Sequence, residues 1–262
     1  AGHPEFGHAS GIETTTGPLG QGIANAVGMA LAERLMQARF GDDLVDHKTY
    51  VIAGDGCLME GISQEAISLA GHLKLNKLIV LWDDNKITID GATNLATSED
   101  IQGRFVASGW NVATIDGHDY QQINKAIANA KKSDKPTLIA CRTTIAFGAP
   151  TKAGTSSSHG SPLGKNEIEG ARKNLGWAHG EFEIPDDILK AWRKIGKNGQ
   201  EKFAQWTKSL DKSDNNLEFL RFVAQELPVG WVAEFDKFKK SLAESKPNEA
   251  TRKSSENVLQ VL

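Results

Sequence analysis

Two short apolar stretches of this sequence each run into a side chain that carries an oxygen ligand. Residues 50–53 lead into Asp55, and residues 78–82 lead into Asn85. The segment between them carries apolar residues at helical spacing, so the pattern predicts a strand, a turn, a helix and a second strand. A right-handed connection would bring both strand ends to the same edge of a parallel sheet, where α/β proteins bind ligands. We therefore expect an α/β fold in which helices flank a parallel sheet.

The polar residues at these strand ends are suited to a divalent cation and a phosphate. Mg²⁺ and Ca²⁺ prefer oxygen donors. Asp55 offers a carboxylate, Asn85 an amide oxygen and Ile87 a backbone carbonyl. Gly56 lies where the next helix starts, and there a backbone amide and the helix dipole favour a phosphate. A Gly-Asp-Gly triplet alone is also typical of an ordinary tight turn, but the Asp-Asp-Asn run at the second strand end favours a metal–diphosphate site.

A second unit of the same kind follows along the chain. Strands are predicted at 109–116 and 137–144, and a helix at 120–132, where apolar residues recur on one face. The turn from Asp116 to Asp119 groups acidic side chains with a histidine. Helix capping by Asp119 explains this group more simply than catalysis does. The segment is therefore predicted to be a second βαβ unit.

Two further segments are expected to border the site. Residues 1–18 are rich in glycine, threonine and proline and are predicted to form a loop. Residues 19–40 are predicted to form a helix with Pro18 near its first turn. Each glycine in the first half of this helix costs about 1 kcal/mol, so close packing or a nearby ligand must compensate. Residues 149–164 are predicted to form a long loop, of the kind that covers a site or is disordered.

Composition narrows the class of protein. The 262 residues, 39% of them hydrophobic, suit one large α/β domain or one domain with an appendage. A net charge of −3 and the lack of a long apolar run give no sign of nucleic-acid or membrane partners. Cys57 and Cys141 predict two structural thiols in a reducing, cytoplasmic compartment. Because the chain starts without methionine and ends within a helical pattern, we expect an internal segment of a longer protein.

Several motifs, in order along the chain, resemble those of transketolase. Gly54-Asp55-Gly56 followed by Asn85 resembles the thiamine diphosphate signature. The residues around it match a narrower group of proteins than that signature does. The matching segments are Gly2-His3-Pro4-Glu5, the run from Glu13 to Gly22, Asp55-Gly56-Cys57 with Glu60-Gly61, the run from Asp83 to Gly91, and His159-Gly160. The resemblance covers nearly the whole chain and implies a thiamine diphosphate-binding fold.

The resemblance also implies a domain organisation. Residues 1–184 would form the diphosphate- and metal-binding domain, without its N-terminal part. Residues 185–249 would form a helical linker wrapped on that domain, and residues 250–262 would begin a truncated pyrimidine-binding domain. Aromatic residues recur in the linker at helix-like intervals, between Trp192 and Trp231. They predict a packed stripe rather than a binding site.

Further residues are assigned to the cofactor by the family resemblance. Gly17, Pro18 and Leu19 would lie along the aminopyrimidine side of thiamine diphosphate. His159 would contact the diphosphate and the reacting centre, with Gly56 also on the diphosphate. Ile89 would pack against the cofactor rings, and a core isoleucine is the alternative. The cation, Mg²⁺ or Ca²⁺, would be held by the strand-end oxygens already described.

The family resemblance also assigns roles to two more residues. His3 would touch the sugar substrate, whereas a lone loop histidine is otherwise a surface residue. Glu60 would join a carboxylate network across a dimer interface, and a favourable interaction with the helix dipole is the plainer alternative. Residues 155–158 depart from the family pattern, because many members carry an additional histidine there.

The activity implied is that of a transketolase, which moves a two-carbon ketol unit from a ketose phosphate to an aldose phosphate. The resemblance further implies the pentose phosphate pathway and a homodimer with its active site at the subunit interface. In transketolases the glutamate that activates the cofactor belongs to the pyrimidine-binding domain, so the resemblance implies that this chain alone binds the cofactor weakly and catalyses nothing.

A dihydroxyacetone synthase, a non-catalytic transketolase paralogue and a plain nucleotide-binding module are the alternatives. The paralogue is the less favoured alternative, because a site that no longer functions should have lost some of its ligands. This sequence retains Asp55, Asn85, His3 and His159. No Gly-x-Gly-x-x-Gly run after a strand supports a nucleotide module.

Overall fold

Residues 3–261 are described by the computed structural model. Ala1, Gly2 and Leu262 lie outside the described residues, and with them the glycine of the first matching motif. The described part of the chain contains four strands and ten α-helices. The strands are β1 (Thr49–Gly54), β2 (Leu78–Asp84), β3 (Asn111–Asp116) and β4 (Thr137–Arg142). The helices are α1 (Gln21–Phe40), α2 (Asp55–Met59), α3 (Gly61–His72), α4 (Ile101–Ala107), α5 (Tyr120–Ala130), α6 (Lys165–Asn174), α7 (Asp186–Lys212), α8 (Asn216–Val223), α9 (Trp231–Ser245) and α10 (Thr251–Val261).

The strands form one parallel sheet in the order β1-β2-β4-β3. This confirms the predicted fold class and both predicted βαβ units. Gly54 of β1 pairs with Asp83 of β2, and Asp83 pairs with Cys141 of β4. Because the strands are parallel and in this register, the segments after β1, β2 and β4 leave the sheet at one edge.

The sheet separates two apolar cores. On one face α1 and α3 cover residues such as Val80, Trp82 and Leu138, which are all buried. On the other face α5 covers Ile79 and Ile139. The apolar run of β2 is buried on both faces, as continuous hydrophobic strands of parallel sheets are. A buried β2 gives the residues that follow it a rigid base.

Two helix ends differ from the prediction. The first helix begins at Gln21, so Pro18 precedes it instead of lying in its first turn. Gly20 adopts a left-handed conformation with φ of +83°, and the helix cannot continue through it toward the N-terminus. The helix after Asp55 is also broken, because Glu60 has extended backbone angles between α2 and α3. Glu60 is therefore the residue before α3 and not part of a continuous helix.

Other local predictions are confirmed. Residues 3–18 contain no helix or strand, and a short 3₁₀ turn at Ser156–Ser158 interrupts the predicted loop. The Asp119 carboxylate accepts hydrogen bonds from the amides of Gln121 and Gln122 and so caps α5, at 2.8 and 3.1 Å. Within residues 3–261, no helix combines the length and the apolar character that crossing a bilayer requires.

The chain divides into two compact units, Ala1–Asn198 and Gly199–Leu262. The sheet and the segments around its edge belong to the first unit. In the second unit Trp206 packs edge-on against Phe219, with 6.0 Å between ring centroids, as expected for a packed aromatic stripe. Trp192, in the first unit, is 70% exposed and does not share that packing.

Candidate functional site

A cleft of about 510 Å³ opens at the sheet edge where β1 and β2 end. It is bordered by the turn after β1, the turn after β2, the start of the first helical region and the loop after β4. Most of the predicted site residues line it, namely Leu19, Asp55, Gly56, Asn85, Ile87, Ile89 and His159. Segments far apart in the sequence therefore converge on one site.

Asp55 is the most unusual group in this cleft. It directly follows β1 and is only 3% exposed. Its Oδ2 accepts a hydrogen bond of 3.0 Å from the Lys86 amide. Its Oδ1 is buried without a hydrogen-bond partner among the described residues. A buried acceptor of this kind costs about 1–3 kcal/mol unless a ligand satisfies it.

The electrostatics at Asp55 also favour a ligand at its buried oxygen. Burial raises the pKa of its carboxyl above the usual value, and the nearby Asp84 charge raises it further. The Lys86 charge and amide, with the Trp82 indole, oppose this pKa shift only in part. A divalent cation at the unpartnered oxygen would reverse the penalty, because it favours the ionised form.

Asn85 lies beside Asp55 with its amide orientation determined by two hydrogen bonds. Its Nδ2 donates to Asp83 Oδ2 at 3.2 Å, and its Oδ1 accepts from the Ile87 amide at 2.9 Å. Asp83 in turn accepts a hydrogen bond from the Thr143 hydroxyl. An amide oxygen has two lone pairs, so Asn85 Oδ1 retains one for a cation.

The donor set fits a hard divalent cation. It combines one carboxylate, one amide oxygen and a backbone carbonyl, which are the ligand types that Mg²⁺ and Ca²⁺ accept. Among residues 3–261 there is no cluster of three or more His, Cys, Asp or Glu side chains arranged for a metal.

The turn after β1 leaves space beside these ligands. Gly54 is extended, and α2 begins at Asp55, so the Gly56 amide lies in the first turn of a short helix at the cleft, as predicted. A β-carbon on Gly56 would lie 3.2 Å from Leu19 Cδ1, so a side chain here would crowd the wall of the cleft. Leu19 itself is 53% exposed and presents an apolar surface.

Two other predicted residues, Ile89 and His159, also line the cleft. Ile89 is 68% exposed, so the alternative that it is a core isoleucine is wrong. His159 follows the Ser156–Ser158 turn, is exposed, and lines the cleft together with Ser158 and Gly160. The cleft thus has an apolar wall and a polar, histidine-bearing rim.

The remaining predicted residues do not line the cleft. The imidazole of His3 packs directly on Gly17, where a β-carbon would overlap it. Pro18 is exposed. Glu60 is also exposed, and its Cβ would lie 2.8 Å from a β-carbon built on Gly20. His3, Gly17, Pro18 and Glu60 are therefore not part of the wall of the cleft.

Some cleft residues were not among the predicted site residues. Asp83, Cys57 and Ile145 also line the cleft. Asp83 was visible in the Asp-Asp-Asn run, and its polarity directly after a buried strand is the signal that could have identified it. Thr143 could not be identified this way, because its contact with Asp83 depends on the pairing of β2 with β4.

Comparison with known proteins agrees with this geometry. Residues 1–228 match the protein family described as "Transketolase, thiamine diphosphate binding domain". The transketolase of Cereibacter sphaeroides is 54% identical over 265 aligned positions, which cover 100% of this chain and 40% of that protein. Transketolase 1 of Vibrio cholerae is 52% identical over 99% of this chain and 40% of its own length. The solved transketolase from Leishmania mexicana superposes with a TM-score of 0.86 at 43% identity, covering 99% of this chain and 39% of that one.

This chain spans about 40% of the length of the curated relatives it matches. The match to the family nevertheless extends over most of the chain and includes the whole cleft. The sheet, the cleft and the sequence identity all agree, and the chain belongs to the transketolase family of thiamine diphosphate-binding domains.

Proposed function

We propose that this chain supplies the diphosphate- and metal-binding part of a transketolase, which transfers a two-carbon ketol unit from a ketose phosphate to an aldose phosphate. The observation that carries the proposal is the buried, unpartnered Oδ1 of Asp55 beside the oriented amide of Asn85. A cation at this oxygen would satisfy it, and the amide of Asn85 lines the same cleft.

The cation in this proposal is Mg²⁺ or Ca²⁺. Asp55, Asn85 and the Ile87 carbonyl would hold it, and it would bridge to the diphosphate, as Mg²⁺ commonly does with phosphates. The Gly56 amide and His159 would contact the diphosphate directly. When bound, thiamine diphosphate supplies a nucleophilic carbon and an electron sink for the ketol group.

The apolar part of the cleft would receive the rings of the cofactor. Leu19 and Ile89 are exposed hydrophobic residues in the wall of the same cleft. Exposed apolar side chains concentrated in a concave site are typical of ligand pockets. Gly17 and Pro18, just before Leu19, would border the aminopyrimidine.

Histidines would serve the sugar substrate. His159 lies at the rim of the cleft, where it can donate to a phosphate or move a proton near neutral pH. His3 packs on Gly17, next to the proposed aminopyrimidine side, and would orient the sugar hydroxyls from there. Neither histidine needs to be buried for these roles.

The assembly belongs to the proposal as well. Glu60 is exposed, as a residue of a dimer interface must be in a single chain, and we propose that it joins a carboxylate network with a partner subunit in a homodimer. Residues 1–184 would form the metal-binding domain, residues 185–249 the linker, and residues 250–262 the beginning of the pyrimidine-binding domain. Cytoplasmic location and a role in the pentose phosphate pathway are parts of the same proposal.

The test is a ketol-transfer assay on the complete protein with thiamine diphosphate and Mg²⁺. We expect transfer from a ketose phosphate to an aldose phosphate, and a loss of more than about 100-fold in Asp55→Ala, because removing a direct ligand exceeds the effect of outer ligands. Asp119→Ala, which alters only the cap of α5, should keep the activity. Absence of transfer by the wild type, or full activity in Asp55→Ala, would overturn the proposal.

The same assay separates the alternatives. Formaldehyde used in preference to aldose phosphates would indicate a dihydroxyacetone synthase. The isolated 262-residue chain should bind the cofactor weakly and give no turnover. Steady turnover by that chain would contradict the proposed need for a second domain.

A further inference from the structure

Asp84 is a buried carboxylate that the proposed function does not use. It is the last residue of β2, directly before Asn85, and its side chain is 1% exposed. The Lys86 ammonium lies 2.8 Å and the Arg142 guanidinium 3.3 Å from its Oδ1. Both are charge contacts and not directed hydrogen bonds. Burying a carboxylate is costly even when it is paired, so its position next to the cleft calls for an explanation.

Lys86, one of its partners, has an uncommon backbone. Its φ is +63°, in the left-handed region that residues with a β-carbon avoid. The side chain folds back, with Nζ 5.0 Å from the centroid of the Trp82 ring and in contact with Asp84. The charge contact therefore opposes the intrinsic preference of the backbone.

This backbone conformation builds the proposed metal site. Lys86 is held on both sides, because its amide donates to Asp55 Oδ2 at 3.0 Å and its carbonyl accepts from the Thr93 amide at 2.9 Å. The left-handed conformation lets the chain reverse, so that the Ile87 amide reaches Asn85 Oδ1. With its amide fixed on Asp55, a right-handed or extended Lys86 would send the following residues in another direction and take the Ile87 amide away from Asn85.

We propose that Asp84 is a positioning residue of the metal site, because its carboxylate holds Lys86 in the left-handed conformation that turns the chain and brings the Ile87 amide to Asn85 Oδ1. This inference rests on the proposed function, since it concerns the same cation. Asp84 itself does not touch the cation. It acts by keeping the turn after β2 in the conformation that presents the ligands.

Substitutions at Lys86 separate this role from a simple effect of charge. Lys86→Ala and Lys86→Gly both remove the ammonium, but only glycine adopts a positive φ without strain. Lys86 is exposed, so neither change disturbs the core. If the backbone conformation is what matters, the glycine variant should bind the cation as the wild type does, and the alanine variant should not.

The measurement is the dissociation constant of Mg²⁺, by calorimetric titration of the complete protein with saturating thiamine diphosphate. We expect Asp84→Asn and Lys86→Ala to weaken Mg²⁺ binding about 10- to 100-fold, the usual effect of losing an outer-sphere support. Lys86→Gly should stay within about 3-fold of the wild type, and it should restore binding when combined with Asp84→Asn, because the turn then no longer needs Asp84.

Glu33→Gln is the matched control. Glu33 is another buried carboxylate paired with a lysine, Lys77, at 2.6 Å, but it lies on α1 away from the cleft. Its loss should leave Mg²⁺ affinity unchanged. Equal weakening in Lys86→Gly and Lys86→Ala, or unchanged binding in Lys86→Ala, would overturn the inference.

The outcomes also separate this inference from the proposed function. Mg²⁺ binding in the wild type that is indifferent to Asp84 and Lys86 would refute the positioning role alone. No Mg²⁺ binding in the wild type would refute the proposed metal site, and the positioning role with it.

Discussion

Replacing Asp55 with asparagine should stabilise the protein in the absence of metal, although it removes the proposed metal ligand. The unpartnered Oδ1 of Asp55 costs about 1–3 kcal/mol. In the variant an amide nitrogen takes the place of Oδ1, so that position stays unpartnered but no longer carries a buried charge, and the hydrogen bond from the Lys86 amide loses about 1 kcal/mol because its acceptor is neutral. The balance favours asparagine by about 1 kcal/mol, which corresponds to a rise in Tm of about 2–4 °C for a unit of this size.

The pH dependence of this effect follows from the pKa of Asp55. Burial, and then the Asp84 charge, raise that pKa above its usual value of 3.8. The folded state therefore binds the proton more tightly than the unfolded state, and the stability that protonation confers is lost as the pH rises through the folded pKa. Asparagine does not titrate, so the advantage of Asp55→Asn should be largest at neutral pH and disappear in acid.

Glu33→Gln provides the opposite case within the same unit. The Glu33 carboxylate is 3% exposed and pairs with Lys77, whose ammonium also contacts Asp46 at 2.7 Å. Breaking this buried pair should cost about 2–3 kcal/mol, because Lys77 retains only its more exposed partner. The two isosteric changes are therefore expected to move stability in opposite directions.

The assay is thermal and urea unfolding of the complete protein in EDTA, followed by circular dichroism between acid and neutral pH. If Asp55→Asn lowers the unfolding temperature by as much as Glu33→Gln does, the carboxylate of Asp55 is satisfied inside the protein. The argument that it awaits a cation would then be wrong.

Two further predictions concern the framework around the cleft. Gly71→Ala should destabilise the protein by about 2 kcal/mol despite the better helix propensity of alanine, because its β-carbon would overlap the backbone oxygen of Ser108. Urea unfolding measures this change in stability. A neutral or stabilising effect would refute the packing of α3 on that segment. Asp119→Ala should lower the unfolding temperature, since the amides of Gln121 and Gln122 lose their acceptor. The Gln122 side-chain amide, and then the backbone amides of Gln122 and Gln121, lower the pKa of Asp119. Its contribution should therefore be complete above the usual value of 3.8 and fade as the pH falls through the lowered pKa, and a cap effect that grows in acid would contradict this.

The sequence was sufficient to predict the sheet, because the strands are short apolar runs that are bounded by polar or turn-forming residues. The apolar run of β2 ends in Asp83, Asp84 and Asn85, and this abrupt change of polarity identified the site edge. The Asp119 cap was predictable for a similar reason, since capping depends on residues two or three positions away.

Features that depend on long-range pairing could not be predicted. The hydrogen bond from Thr143 to Asp83 requires β2 and β4 to be neighbours in a particular register. The left-handed conformation of Lys86 is also invisible in the sequence, because lysine has no preference for it and its contacts with Asp55 and Thr93 depend on the fold. The break between α2 and α3 was not predicted either, because the residue where it occurs, Glu60, is neither glycine nor proline.

The most direct test of the account is calorimetric titration of thiamine diphosphate into the complete protein, with and without Mg²⁺, for the wild type and Asp55→Ala. Metal-dependent binding that disappears in Asp55→Ala is the predicted result, because the proposed cation would link the diphosphate to Asp55 and Asn85. Binding that is independent of Mg²⁺, equal in the variant, or absent from the wild type would contradict the central claim that this cleft holds a metal–diphosphate group.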